Sequence, residues 1–95
     1  MIVDLRLYPA VESPLNGPLL DRFRCPCSPE KNTNVEGWTC MGLLGERPLE
    51  LGETRRVGLV FLVPEKAIPI LKSAGTFYLW SGGFFGEATV VDSEL

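Results

Sequence analysis

Histidine is absent from this chain of 95 residues, and cysteine occurs only three times. The first absence removes the side chain that most often acts as acid or base near neutral pH. It also leaves Cys25, Cys27 and Cys40 as an incomplete zinc set, because structural zinc takes four ligands, mostly Cys and His. A basic excess is lacking too: nine Lys and Arg stand against twelve Asp and Glu, a net charge of −3. Nucleic-acid binders draw most of their affinity from phosphate contacts, so this balance argues against that class. Long apolar runs are missing as well. The longest uncharged one, Val57–Val63, is far short of a membrane span, and Met1–Arg6 has no basic start followed by an apolar stretch. An odd thiol count without a leader suggests reduced cysteines, so the expected setting is soluble and cytoplasmic, with no membrane contact. No cofactor and no metal are expected. Gly82-Gly83 lacks the following helix and Lys that a phosphate loop requires, and reads as a turn.

What the chain does have is turn chemistry. Ten glycines and eight prolines fit many short strands with frequent reversals and do not fit long helices. With 45% apolar residues the chain buries a real core as one domain, residues 1–95. The acidic imbalance sits at one end. Residues 74–95 hold Glu87, Asp92 and Glu94 with no Lys or Arg, while the rest of the chain is balanced.

Val3, Leu5 and Leu7 alternate with Asp4, Arg6 and Tyr8, which predicts a first strand with one buried face. Pro9 closes it, and a long irregular insertion over 9–35 follows, rich in Pro, Asn and Gly. Within it, Leu19–Cys27 is expected as a short edge strand ending at Pro26. Further strands are predicted over Glu36–Leu44 and Thr54–Val63. Pro64 suits a helix start, but Pro69 removes a donor soon after, so 64–72 is expected to hold one helical turn and a bend. Thr76–Ser81 and Phe84–Asp92 then pair as a hairpin across the two glycines.

Together these elements predict an all-β fold: a small six-stranded antiparallel barrel with one helical turn. Side chains of a small barrel alternate between interior and exterior. On that alternation Phe77, Leu79, Phe84, Gly86, Ala88 and Val90 point inward. The outer face would carry Val60, Leu62, Tyr78, Trp80, Phe85 and Val91, too apolar for water alone. Either the 10–35 segment folds over it, or a partner does, a second copy of the chain being the simplest case.

The stretch Trp38–Asp92 resembles the C-terminal β-barrel domain of bacterial elongation factor Tu and its stand-alone relatives. The resemblance is carried by the turn Leu51-Gly52-Glu53-Thr54 and by the strand end Phe61-Leu62-Val63-Pro64-Glu65. Leu71, Gly75, Phe77 and Leu79 continue it, and Gly86-Glu87-Ala88-Thr89-Val90 closes it. The first strand also looks like that family's opening strand. Ala88 stands where the family has a second closing glycine, and residues 9–35 follow no family pattern. The nucleotide-binding domain is absent, so the resemblance implies a barrel and no GTPase activity. In the full factor this barrel binds the acylated tRNA stem and a partner factor.

Three function classes follow. The favoured one is a non-catalytic accessory or immunity-type module binding a partner protein, with Leu62, Tyr78, Trp80 and Phe85 at the contact beside the loop of Arg22, Arg24 and Glu30. The second is an RNA-binding domain using Arg22, Arg24, Arg55 and Arg56, where basic residues interleaved with Phe23 grip a strand. The third is a thiol- or metal-dependent enzyme in which Arg22 or Arg24 lowers the pKa of Cys25, Cys27 or Cys40. In the plainer reading of each pattern, arginines guard strand edges against pairing, Cys40 packs as a small apolar core residue, and Cys25 and Cys27 are loop thiols.

Overall fold

The computed structural model describes residues 1–32 and 37–91. Six strands run β1 (Ile2–Leu7), β2 (Arg24–Ser28), β3 (Trp38–Leu43), β4 (Thr54–Phe61), β5 (Thr76–Trp80) and β6 (Phe84–Val90), with one helix, α1 (Pro64–Ala74), between β4 and β5. A single turn of 3₁₀ helix covers Ala10–Glu12. The strands close in the order β1-β4-β3-β2-β5-β6, all neighbours antiparallel, with β6 returning to β1. The fold is therefore the expected all-β, six-stranded antiparallel barrel.

Alternation builds the interior. Val3, Leu5 and Leu7 of β1, Val57, Leu59 and Phe61 of β4, and Phe77 and Leu79 of β5 are all buried. Each such Leu or Phe withdrawn from water contributes about 1.5–3 kcal/mol before the entropy of ordering the chain is subtracted. The barrel ends are stoppered by the two longest connections. The β1–β2 segment runs past the hairpin turn, where Pro14 lies beside Gly83, and on to the β3–β4 connection, where Leu19 and Leu49 exchange hydrogen bonds of 2.9 Å. At the other end α1 drops Ala67 and Leu71 into the core.

Four local expectations need correction. First, 64–72 is not one turn but part of an eleven-residue helix. Pro64 opens it, Gly75 at φ 83° caps it through an N–H bond to the Leu71 carbonyl, and Pro69 lies on the solvent side. The burial of Ala67 and Leu71 outweighs the one missing donor. Second, the edge strand over Leu19–Cys27 is instead β2, shifted to Arg24–Ser28 and flanked by β3 and β5. Pro26 sits inside it, and the β2–β5 ladder, only Cys27↔Leu79 and Ser28↔Tyr78, stops where Pro26 has no N–H to offer. Third, the 10–35 segment is not one irregular cover: its first part closes a barrel end, Arg24–Ser28 is a strand of the sheet, and Lys31 lies over the rings of Tyr8 and Tyr78.

The fourth correction concerns Phe84 and Phe85, whose sides are exchanged. Leu79 pairs with Gly86 but Trp80 pairs with Phe84, so β6 holds one extra residue at that point. A bulge re-aims side chains. Phe85 is the extra residue and is buried in the core, while Phe84 faces outward against Tyr78. Gly86, Ala88 and the half-buried Val90 keep the predicted inward phase. Residues 33–36 and 92–95, including Glu36, Asp92 and Glu94, lie outside the described residues.

Candidate docking surface

The outer face of β2, β3 and β4 follows from register. Arg24 lies opposite Met41, and Met41 opposite Val60; Pro26 lies opposite Thr39, whose carbonyl accepts the Leu62 N–H at 3.0 Å. Side chains pointing the same way along paired strands therefore form two rows, Arg24–Met41–Val60 and Pro26–Thr39–Leu62. Trp80 stands beyond Pro26 across the short β2–β5 ladder. Large apolar groups stay open here: Leu62 is 77% exposed, Val60 43% and Trp80 37%. A groove of about 270 Å³ is lined by Arg24, Thr39, Met41, Val60 and Leu62 among others. A second, of about 290 Å³, lies between Pro26, Ser28, Asn32, Gly37, Trp80 and Phe84.

The structure thus brings Leu62, Trp80 and Arg24 onto one side, with Met41 and Pro26 completing a band that the alternation argument left out. Pro26 gives no outward-facing signal in the sequence, because a proline reads as a strand end. Tyr78 is half-buried beneath neighbours, and Phe85, at 1% exposure, offers no surface contact at all. Glu30 is exposed in the bend after β2, and Arg22 is exposed in a turn with φ 65°. Val91 is half-buried and its N–H bonds the Ile2 carbonyl.

The four arginines of the RNA-binding reading do not form one patch. Arg55 is only 14% exposed and is used internally: it donates to the carbonyls of Arg47 and Pro48 and to both carboxylate oxygens of Glu53. This clamp fixes the β3–β4 connection. The Glu50 N–H bonded to Glu53 and, behind it, Arg55 hold the Glu53 carboxyl below its usual pKa. Arg56 forms a two-pronged pair with Asp4 on the neighbouring strand, at 2.9 and 3.2 Å. Only Arg22 and Arg24 are left near each other.

The thiols are turned away from those arginines. Cys25, Cys27 and Cys40 are at most 5% exposed and belong to the core, with Cys25 and Cys40 directly opposite and their sulfurs 3.9 Å apart. Cys27 donates to the Trp38 carbonyl at 3.2 Å. The Cys27 thiol is pushed far up, foremost by its contact with Cys40 and then by burial, and Cys40 is pushed up foremost by Cys25. Arg22 and Arg24, both exposed, activate neither. Among the described residues no group of three or more Cys, Asp or Glu is placed to hold a metal ion, and no helix is long and apolar enough to cross a membrane.

A compact polar cluster occupies the β1–β6–β5 side. Arg6, Glu87 and Tyr78 stand in a row across the three strands. The Tyr8 hydroxyl donates to Glu87 Oε1 at 3.2 Å, and Arg6 lies 3.7 Å from the same oxygen. Lys31, from the bend after β2, reaches over the seam and sets its ammonium 4.4 Å from the Tyr8 ring centre and 5.5 Å from that of Tyr78. Nothing in the sequence flags this cluster, because its members are brought together only by barrel closure.

Compared with known proteins, the chain matches no family model, no curated protein and no solved structure.

Proposed function

We propose that the chain is a non-catalytic module that binds a partner protein through the outer face of β2, β3 and β4. The observation that carries this reading is the open band of Leu62, Val60 and Trp80 with Met41 and Pro26, grooved on both sides and edged by Arg24. Apolar groups with a polar border are the usual make-up of an interface centre. The buried, proton-holding thiols and the missing imidazole favour docking over a reaction. The engagement of Arg55 and Arg56 within the fold favours protein over RNA as the partner. Kinship with the elongation factor Tu barrel is part of the same proposal; the six-stranded closed architecture is compatible with it.

The test is a pull-down with the intact chain and with Leu62→Asp or Val60→Asp. Salt-resistant retention of one protein by the wild type, lost in both variants, supports the reading. Retention of RNA that falls steeply with rising salt would replace it with the nucleic-acid class. A wild-type dimer that becomes a monomer in Leu62→Asp would make the partner a second copy.

A further inference from the structure

The Lys31 cluster has the composition of a cation site. Two aromatic faces and one carboxylate converge on a single ammonium, and ring quadrupoles attract cations placed over their faces. Tyr8 is pinned by its bond to Glu87, and Tyr78 by the edge of Phe84, whose ring stands at 82° to it with centroids 6.4 Å apart. The rings are therefore held in place by the barrel, not by the lysine. Glu87 is held from the other side by Arg6, whose guanidinium also lies 5.1 Å from the Tyr8 ring centre. Tyr8, foremost, and Glu87 and Tyr78 behind it, hold the Lys31 ammonium in its charged form.

The occupant itself comes from outside the sheet. Lys31 is exposed, sits in a bend outside any strand, and makes no ion pair within 4.0 Å among the described residues. Its ammonium is a mobile point charge on a four-carbon stem. Such a side chain acts as a tethered ligand whose effective concentration is in the millimolar range for a short flexible link. An outside ammonium of like chemistry competes with it on those terms. Tyr78 is flanked by Ser28, its partner on β2, and by the ring of Phe84.

We infer that Tyr8, Tyr78 and Glu87 form a recognition site for the ammonium of a lysine side chain on another protein, which Lys31 fills until it is displaced. The inference goes beyond the docking proposal, since Tyr8, Tyr78 and Glu87 play no part in the Leu62–Val60 face; either reading stands without the other.

The experiment uses n-butylammonium chloride as the probe, with n-butanol as the neutral isostere and sodium chloride matching ionic strength. Tyrosine ring resonances are followed by NMR in the wild type and in Lys31→Ala and Lys31→Gln, with thermal melts confirming that both variants fold. The expected result is saturable shifts at Tyr8 and Tyr78 in both variants, with affinity about tenfold weaker in the wild type, where the tethered lysine competes. Adding Glu87→Gln to Lys31→Ala weakens binding again, and an N-acetyl-lysine amide binds while its Nζ-acetylated form does not. Absence of saturable shifts in both variants overturns the inference. So do equal responses to butanol, or equal affinity in wild type and variants.

Discussion

The ring of Phe23 fills the space that a side chain on Gly42 would need. A Cβ built at Gly42 overlaps Cε2, Cζ and Cδ2 of that ring. The two residues are locked together by the backbone as well, since the Gly42 N–H donates to the Phe23 carbonyl at 2.9 Å and the Gly42 carbonyl accepts from Arg22 at 2.8 Å. The β1–β2 segment is thereby anchored just before β2 begins.

Gly42→Ala should destabilise the fold by about 1–3 kcal/mol, the usual range for overpacking a filled interior. Urea denaturation measures it. Combined with Phe23→Leu, the double variant should lose less than the sum of the single losses, because the smaller side chain removes the overlap. Strict additivity would mean that the ring is not what excludes the methyl group.

Leu62→Asp should leave the urea midpoint almost unchanged, within about 0.5 kcal/mol, because a 77% exposed side chain has little packing to lose. Phe85→Ala, by contrast, should cost about 3–5 kcal/mol, as expected for a fully buried aromatic. The pair of measurements separates the residue left on the surface from the one the bulge takes inside.

Pro69→Ala should raise stability by roughly 1–2 kcal/mol. It restores a helical N–H in α1 and removes ring crowding, less the entropy that proline withholds from the unfolded chain. Circular dichroism during thermal unfolding reads the change. A loss of stability would show that Pro69 makes a contact worth more than the missing bond.

Thiol titration should find Cys25, Cys27 and Cys40 unreactive toward an aromatic disulfide at pH 8 in the folded protein, and all three reactive in denaturant. Burial and the raised pKa of Cys27 and Cys40 both suppress the thiolate. Fast labelling of Cys27 under native conditions would contradict that packing.

Stability should fall in acid. Asp21 accepts the N–H groups of Gly45 at 3.0 Å and Leu44 at 2.8 Å, and these bonds hold its carboxyl below the ordinary 3.8, as Arg56 does for Asp4. Glu53 lies below 4.5 for the reasons given above. A carboxyl depressed in the folded state stabilises above its unfolded pKa and loses that contribution as pH drops through the folded value. Denaturation midpoints should therefore be level near neutrality and decline below about pH 4.5, with a shallower decline in Asp21→Asn.

Much of the barrel was legible because its strands obey the period of two. Val3, Leu5 and Leu7 announce β1, and the outward setting of Val60, Leu62 and Trp80 follows from counting along β4 and β5. Phe85 escaped the same count because the bulge arises from pairing between Trp80 and Phe84, and a one-residue slip exchanges faces. Pro69 misled because a single local penalty was weighed without Ala67 and Leu71, whose burial appears only once α1 meets the barrel end. Arg55 looks like a free cation in the sequence, yet it is consumed by the carbonyls of its own preceding loop. The Lys31 contacts with Tyr8 and Tyr78 arise from closure of the sheet, and no local pattern carries them.

The β2–β5 ladder has a mechanical consequence. Every other pair of neighbouring strands is laced by four or five registered residue pairs, and this one by two. Thermal agitation will unzip the cylinder at that join before any other, turning it briefly into a curled ribbon with raw margins along Ser28 and Tyr78. Lys31, on the β2 bank of the join, reaches across those margins to Tyr8 without lacing them.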